Sequence, residues 1–354
     1  MPTCESMPTP TKQPKISILV VNYNGASLLP GCLESIATHA GPACETVVVD
    51  NNSNDESLKV LARYDWVRVV SNKQNQGFAG GNNVGLASCS GDYVLLLNND
   101  TIVRQGAIQA LSDYLDVHTE VGAAQGKMLL PRHDRRLDVC GSFFTSLGLP
   151  YHYGYFKTDG PQYCRNYPIF SGKGAFLMFR REVISRIGGF LFDERFFCYY
   201  EESDFCHRCW LSGQEVHFVA TPPIEHLSGA TGERTLRTDS IQNYYMRNMV
   251  FSLLGNLSAS SLLRIMPLFL GIIFFRLLVF ALTLKGGPLR SLASALAYNL
   301  VGWKKIWQRR RLVGRLRRKN DSQIFKAVLR NPRFDYFLKT FKGRIAEYKD
   351  QELV

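Results

Sequence analysis

CETVVVDNNSNDESLKVLARY, residues 44–64, runs from β-branched residues through an acid into small polar residues and then into a helical pattern. CETVVVD (44–50) reads as a strand, and Asp50 stands where that strand stops. Ser53, Asn54 and Asp55 are cap residues with acids in the first turn, so the spacing predicts a helix over 53–64. Upstream, ISILVVNYN (16–24) reads as a buried parallel strand, and ASLLPGCLESIATHA (26–40) keeps a helical apolar spacing despite Pro30. Downstream, VRVVSN (67–72) is a third strand. The order β-α-β-α-β predicts an α/β fold with a mainly parallel, doubly wound sheet and right-handed crossovers.

DYVLLLNND (92–100) has the unbroken apolar run of a central strand covered on both faces. GAIQALSDYLDVH (106–118) is an amphipathic helix, and 122–170, rich in Gly, Tyr and Phe with short β-like pieces, reads as an irregular region beside the sheet. Strand and helix alternate again from SGKGAFLMFRREVISRIGG (171–189) to LSGQEVHFVATPPIEH (211–226). The polar, Pro-punctuated residues 1–14 read as a loose leader.

The apolar content of 45% is that of a folded protein, and the formal charge of +12 is unevenly spread. Residues 1–260 hold 22 Lys+Arg and 25 Asp+Glu, whereas 261–354 hold 20 and 5, a net +15. Nine scattered cysteines and no apolar signal core fit a reduced cytosolic setting without disulfides. Cys206 and Cys209 resemble half a zinc site, but no second pair has finger-like spacing, so they read as structural.

IMPLFLGIIFFRLLVFALTL (265–284) is long enough to span a bilayer. A mid-span arginine such as Arg276 costs roughly 2.5–3.5 kcal/mol on insertion scales. The basic flank with Lys304, Lys305 and Arg309–Arg311 favours the cytoplasmic side, so an in-plane or re-entrant helix followed by a basic amphipathic one fits better than a crossing. The competing reading is a buried helix packed on the core.

Three acidic groups end or follow strands: Asp50, Asp100 of LLLNND, and Glu201, Glu202 and Asp204 of FFCYYEESDF. Strand ends of an open α/β sheet aim at one crevice, where ligands bind. Carboxylates there suit a metal-held diphosphate and a hydroxyl that must lose its proton. Asp100 suits a hard divalent cation, Mn2+ or Mg2+, which takes few protein carboxylates plus substrate phosphates. His226 is a candidate second ligand, although a single histidine judged alone is more often structural. Repulsion among Glu201, Glu202 and Asp204 beside Phe196, Phe197, Tyr199 and Tyr200 raises proton affinity, as a general base needs, and a solvated helix start accounts for the same letters. NQGFAGGNNVG (75–85) is neither GxGxxG nor a Walker loop, and reads as flexible backbone able to approach a diphosphate-sugar.

Together, SILVVNYNG, VVVDNNSND, NQGFAGGNNVG, DYVLLLNND, FDERFFCYYEESDFCHR and IEHLSGAT resemble the ordered motifs of family 2 glycosyltransferases, over about residues 15–250. The rhamnosyltransferase-like branch that builds O-antigen and other surface polysaccharides is the most similar. The resemblance implies a GT-A fold, a Rossmann-like mixed, mainly parallel sheet flanked by helices. Residues 15–120 are then the nucleotide-sugar half, 121–255 the acceptor half and 256–354 a helical, membrane-associating appendage. It implies inverting transfer of a single sugar, since the QxxRW signature of processive synthases is absent. It places Asn22, Asn24, Asp50, Asn52, Gly77, Asn82 and Asn99 at the nucleoside-diphosphate sugar. Asp100 and His226 fall on the metal. Glu202 stands where the family's ED motif carries its catalytic Asp, with Glu201 and Asp204 as alternatives. The implied partners are a lipid-linked glycan acceptor and an anionic membrane surface at the cytoplasmic face. Two other classes compete: an inactive membrane-bound sugar-nucleotide binder serving as an assembly partner, and a nucleic-acid binder drawn from the basic tail. The last requires the apolar segment to be incidental, and no nucleic-acid partner is expected.

Overall fold

The computed structural model describes residues 15–228, 238–341 and 344–351. The expected leader 1–14 and the end of the IEHLSGAT motif lie outside the described residues. The first half alternates strand and helix: β1 Ile16–Asn22, α1 Leu29–His39, β2 Cys44–Asp50, α2 Ser57–Leu61, β3 Val67–Ser71, α3 Gly77–Leu86 and β4 Tyr93–Asn98. Then follow β5 Thr101–Ile102, α4 Ala107–Val117, β6 Val121–Gln125, β7 Met128–Leu130, β8 Arg136–Leu137, β9 Ser142–Phe144, β10 Pro150–His152 and β11 Tyr167–Pro168. β12 Phe176–Arg180, α5 Val183–Arg186, α6 Glu201–Leu211, β13 Glu215–Phe218 and β14 Ile224–His226 complete the α/β part.

Eight strands form the main sheet in the order β11-β13-β6-β12-β4-β1-β2-β3. β4, β1, β2 and β3 run parallel, and β12 pairs antiparallel with both β4 and β6. Alternate strand residues feed two cores: Ile18, Val20 and Leu95 pack with α1 and α4, while Leu19, Val49 and Leu96 pack on the face carrying α3 and α6. Pro30 sits in the first turn of α1, where its missing N–H costs no hydrogen bond.

Three expectations are corrected. Residues 53–55 are not helical, because their side chains serve the turn: Asp55 accepts from Ala26 N at 2.9 Å and from Ser57 N at 3.0 Å. Residues 77–86 are not flexible backbone but helix α3, whose glycines let it lie close on the sheet. A Cβ at Gly85 would meet Leu19 Cδ1 at 2.3 Å and Val49 Cγ2 at 2.7 Å. The stretch 122–170 does not lie only beside the sheet, since β6 at its start is an inner strand of the main sheet, while its short β pieces β7 and β8 join β5 and β14 in a second small sheet.

The C-terminal part is helical: α7 Thr238–Asn256, α8 Ala259–Leu282, α9 Gly286–Val301, α10 Trp303–Leu316, α11 Asp321–Val328 and α12 Asp335–Phe341. It is fastened to the α/β part. Arg330 N donates to Phe144 O at 2.9 Å, and Asp350 accepts from Tyr151 and Tyr163 hydroxyls at 2.8 and 2.9 Å.

Candidate active site at the carboxyl edge of the sheet

Strand register sets the first group. Asn22 lies beside Asp50, and Val21 beside Asn98, so β1, β2 and β4 end together. Asn99 Nδ2 donates to Asn22 Oδ1 at 2.8 Å, and Asn22 Nδ2 donates to Asp50 Oδ1 at 3.1 Å. Gly25 crosses this string so closely that a Cβ there would stand 2.3 Å from Asn22 Oδ1 and from Asn99 Nδ2. Asp50 also accepts from Ser53 N, and Asn24, at φ 50°, accepts from Asn54 N, which curls the polar turn over the strand ends. Asn52 is exposed at φ 63° on that turn.

The small sheet sets the second group. β14 pairs antiparallel with β5, placing His226 opposite Thr101 and thus next to Asp100. His226 Nε2 stands 3.3 Å from Asp100 Oδ1, both residues being buried, and that oxygen makes no hydrogen bond. The other ring nitrogen, Nδ1, is 2.6 Å from Asp138 Oδ2, and Lys173 Nζ donates to both Asp138 oxygens at 2.8 Å. Burial raises the Asp138 carboxyl, but Lys173 and His226 outweigh it and hold the acid ionised. Burial opposes protonation of His226, but Asp100 and Asp138 outweigh it and raise its proton affinity. When the ring is neutral, ionised Asp138 accepts the hydrogen bond from Nδ1–H and the Nε2 lone pair faces Asp100, the arrangement of a metal-ligating histidine with its orienting carboxylate. Among the described residues no three His, Cys, Asp or Glu gather as a ready metal cage. Two protein ligands fit a cation whose remaining positions are filled by substrate oxygens.

The third group is the acid motif. Glu201 and Glu202 open α6. Glu201 is buried, and its carboxyl is pushed well above the glutamate range by burial and then by Glu202. Glu202 is partly accessible, and burial raises its carboxyl too. Gly174 N points at Glu202 Oε1 from 3.4 Å, so SGKG (171–174) links Glu202 to the Asp138–His226 pair through the neighbouring Lys173. Asp204 has another task. Fully enclosed, it accepts from Arg208 Nε at 3.0 Å, Ser252 Oγ at 3.0 Å, Asn256 Nδ2 at 2.8 Å and Arg309 Nη2, so it fastens α7 and α10 to α6 and has no oxygen left for substrate.

Gly77 and Asn82 are likewise occupied within the protein. Gly77, at φ 70°, abuts the Phe197 carbonyl, where a Cβ would stand 2.2 Å away, and buried Asn82 donates to Phe78 O at 2.8 Å inside its own helix. Four residues escaped the sequence reading. Asp138 and Lys173 orient His226. Asn51 ties the loop 72–77 to β2 through Asn75 Oδ1 and Gly77 O at 3.0 and 2.9 Å. Asn248 of α7 braces the loop before Glu201. A lysine between two glycines just ahead of an apolar strand was the one signal available for Lys173; Asp138 follows a strand of two residues, too short to show a pattern.

Residues 17–188 match the sequence model of the family described as Glycosyl transferase family 2. This segment belongs to that family. The family 2 segment contains Asp50, Asp100 and the orienting pair Asp138 and Lys173, while Glu202 and His226 follow it in the chain. The chain is 27% identical over 206 residues to the low-salt glycan biosynthesis hexosyltransferase Agl10 of Haloferax volcanii, covering 54% of this chain and 61% of that one. It is 31% identical over 103 residues to the GalNAc(5)-diNAcBac-PP-undecaprenol beta-1,3-glucosyltransferase of Campylobacter jejuni, covering 28% and 33%. The chain thus spans less than two thirds of the length of these curated relatives. Among solved structures, S. aureus TarS 1-349 in complex with UDP-GlcNAc aligns with TM-score 0.55 at 19% identity, over 80% of this chain and 79% of that one. GalNAc-T7 with UDP, GalNAc and Mn2+ aligns with TM-score 0.55 at 17% identity, over 71% and 49%. These likenesses establish the GT-A-like fold.

Proposed function

We propose that the chain transfers one sugar, with inversion, from a nucleoside-diphosphate donor to a hydroxyl of a lipid-linked or polysaccharide acceptor in cell-surface glycan synthesis. The observation that carries this reading is the buried pair Asp100 Oδ1 and His226 Nε2, 3.3 Å apart, beside the string Asn99–Asn22–Asp50. Asp50, Asn22 and Asn99 receive the nucleoside, and the curled turn with Asn24 and Asn52 closes over it. Asp100 and His226 hold a divalent cation, Mn2+ or Mg2+, which when bound offsets negative charge on the departing diphosphate. Glu202, with Oε2 unpartnered and raised proton affinity, takes the proton as the acceptor oxygen bonds to the anomeric carbon and the bond from that carbon to the diphosphate breaks. Residues 15–120 form the nucleotide-sugar half and 121–255 the acceptor half. The motif resemblance supports rhamnose as the first donor sugar to test. The relative named for a PP-undecaprenol product supports a lipid-diphosphate acceptor. A lipid-linked acceptor supports action at a membrane, and a nucleotide-sugar donor supports its cytoplasmic face.

The purified chain is incubated with a panel of nucleotide sugars including dTDP-rhamnose and UDP-GlcNAc, with a lipid-diphosphate acceptor, with Mn2+ or EDTA. Nucleoside diphosphate release that needs both acceptor and Mn2+ is expected. Donor binding without release from any sugar would instead favour the inactive binder.

A further inference from the structure

α8 has two unlike faces. Ile265, Phe269, Ile273 and Phe280 are buried on one helical stripe. At the opposite angular positions Leu263, Leu268, Phe274, Phe275, Leu278 and Leu282 are 54–80% exposed. Arg276, the single charge between Arg264 and Lys285, lies on the inward stripe with its guanidinium 5.7 Å from the Phe280 ring centre. The outward stripe is therefore free of charge along that span, an apolar surface that a protein wholly in water seldom leaves open.

The inward stripe is packed on the α/β part. A Cβ at Gly148, in the turn between β9 and β10, would meet Ile265 at 2.9 Å and Phe269 at 3.5 Å. With protein along one side, the helix has only its other side to offer to lipid, and a crossing would draw that turn into hydrocarbon, where irregular backbone is costly. Charge indicates which surface covers the stripe. Arg264 and Lys285 are exposed at its ends. On α10, Trp303 and Trp307 are 59% and 54% exposed beside exposed Lys304, Lys305 and Arg311. Indole rings interleaved with cations match the headgroup level of a bilayer, and the +15 of residues 261–354 complements anionic lipid.

We infer that the outward stripe of α8, joined by Trp303 and Trp307 of α10, docks on an anionic lipid bilayer with α8 lying in the plane of the interface. The docking face specifies the membrane partner of the proposed function, yet it is independent of sugar transfer and is read without any donor. Full-length protein is floated with vesicles of phosphatidylcholine or of an equal mixture with phosphatidylglycerol. Binding to the anionic vesicles is expected to be about tenfold tighter or more. Phe274→Glu with Phe275→Glu lowers binding to both vesicles about tenfold with an unchanged melting temperature. Leu282→Glu, at the exposed helix end, repeats the test if the double variant does not fold. Lys304→Gln with Lys305→Gln weakens only the anionic preference. Cysteines introduced at Ser260 and Thr283, read against the parent protein, both react with an impermeant maleimide from the outside. No flotation, flotation unaffected by the glutamates, or labelling at one end only overturns the proposal. So does a glutamate variant that merely turns a dimer into a monomer by light scattering, because a second copy would then cover the stripe.

Discussion

Asp100 sits in the turn between β4 and β5 and His226 ends β14, yet their Oδ1 and Nε2 atoms lie 3.3 Å apart, and Asp138 holds the far side of the imidazole at 2.6 Å. Asp100→Ala and His226→Ala are each expected to lower nucleoside diphosphate release by about a hundredfold or more, as loss of charge stabilisation at a reacting centre does. Asp138→Asn differs in kind. Its effect should appear as about ten- to a hundredfold weaker Mn2+ activation. Saturating Mn2+ restores much of the rate in Asp138→Asn and little in Asp100→Ala. Titration of activity against Mn2+ after EDTA treatment separates them.

Burial raises the Glu202 carboxyl above the usual glutamate range, and Glu201 is raised by burial and by Glu202. A base must be ionised, so activity should rise with pH through a value above the ordinary ~4.3. Stability runs the other way. Groups that bind protons more tightly when folded support the fold below their raised pKa, and that support is lost as pH rises through it. The acidic limb of kcat/KM against pH measures the first effect. Glu202→Gln should remove turnover, and Glu201→Gln should retain it.

The parallel half was legible because Ile16–Asn22, Cys44–Asp50 and Tyr93–Asn98 are apolar runs that stop on polar residues, and such runs specify both a strand and its functional end. α3 was not, since glycine is a weak helix former and only the close approach to Leu19 and Val49 explains its choice. β6, VGAAQ, lacks the bulk that marks a strand, yet its small residues sit between β13 and β12. At the candidate site Asp100 and His226 stood out in their motifs, but the residues that touch His226 from behind did not. Asp138 and Lys173 act through contacts between segments far apart in the chain, and local pattern carries no record of those.

Asp204, enclosed with Arg208 and Arg309, is held well below the usual carboxylate range: burial opposes ionisation, and Arg309 and Arg208 overcome it. Removing one partner strands buried charge, so Asp204→Ala should cost about 3–5 kcal/mol. Because its folded pKa is depressed, its contribution is present above the unfolded value of ~3.9 and fades as pH falls toward the folded one. Chemical denaturation at neutral and acidic pH should show the wild-type advantage over Asp204→Ala shrinking in acid. The catalytic reading of Asp204 would instead predict lost turnover in a variant of unchanged stability.

Phe197, Tyr199 and Tyr200 carry φ values of 57°, 67° and 73°, three positive-φ positions within the four residues before Glu201, a backbone that side chains rarely adopt. The buried Asn248 amide holds it, its two N–H groups shared among Phe196 O, Cys198 O and Tyr199 O at 2.9, 3.0 and 2.7 Å. Arg247 adds a bond to Arg195 O at 3.0 Å, and Asn299 of α9 ties back to Arg247 O at 2.9 Å. Asn248 touches neither Asp50 nor Asp100, and the loop it holds leads directly into Glu201 and Glu202. Asn248→Ala should therefore lower kcat about ten- to a hundredfold, the scale of a small misplacement of a reacting group, while donor KM and Mn2+ activation stay near wild type. Stability should fall by about 1–3 kcal/mol for the carbonyls left without a donor. A loss of donor affinity equal to the loss of kcat would show that the loop is not what Asn248 controls.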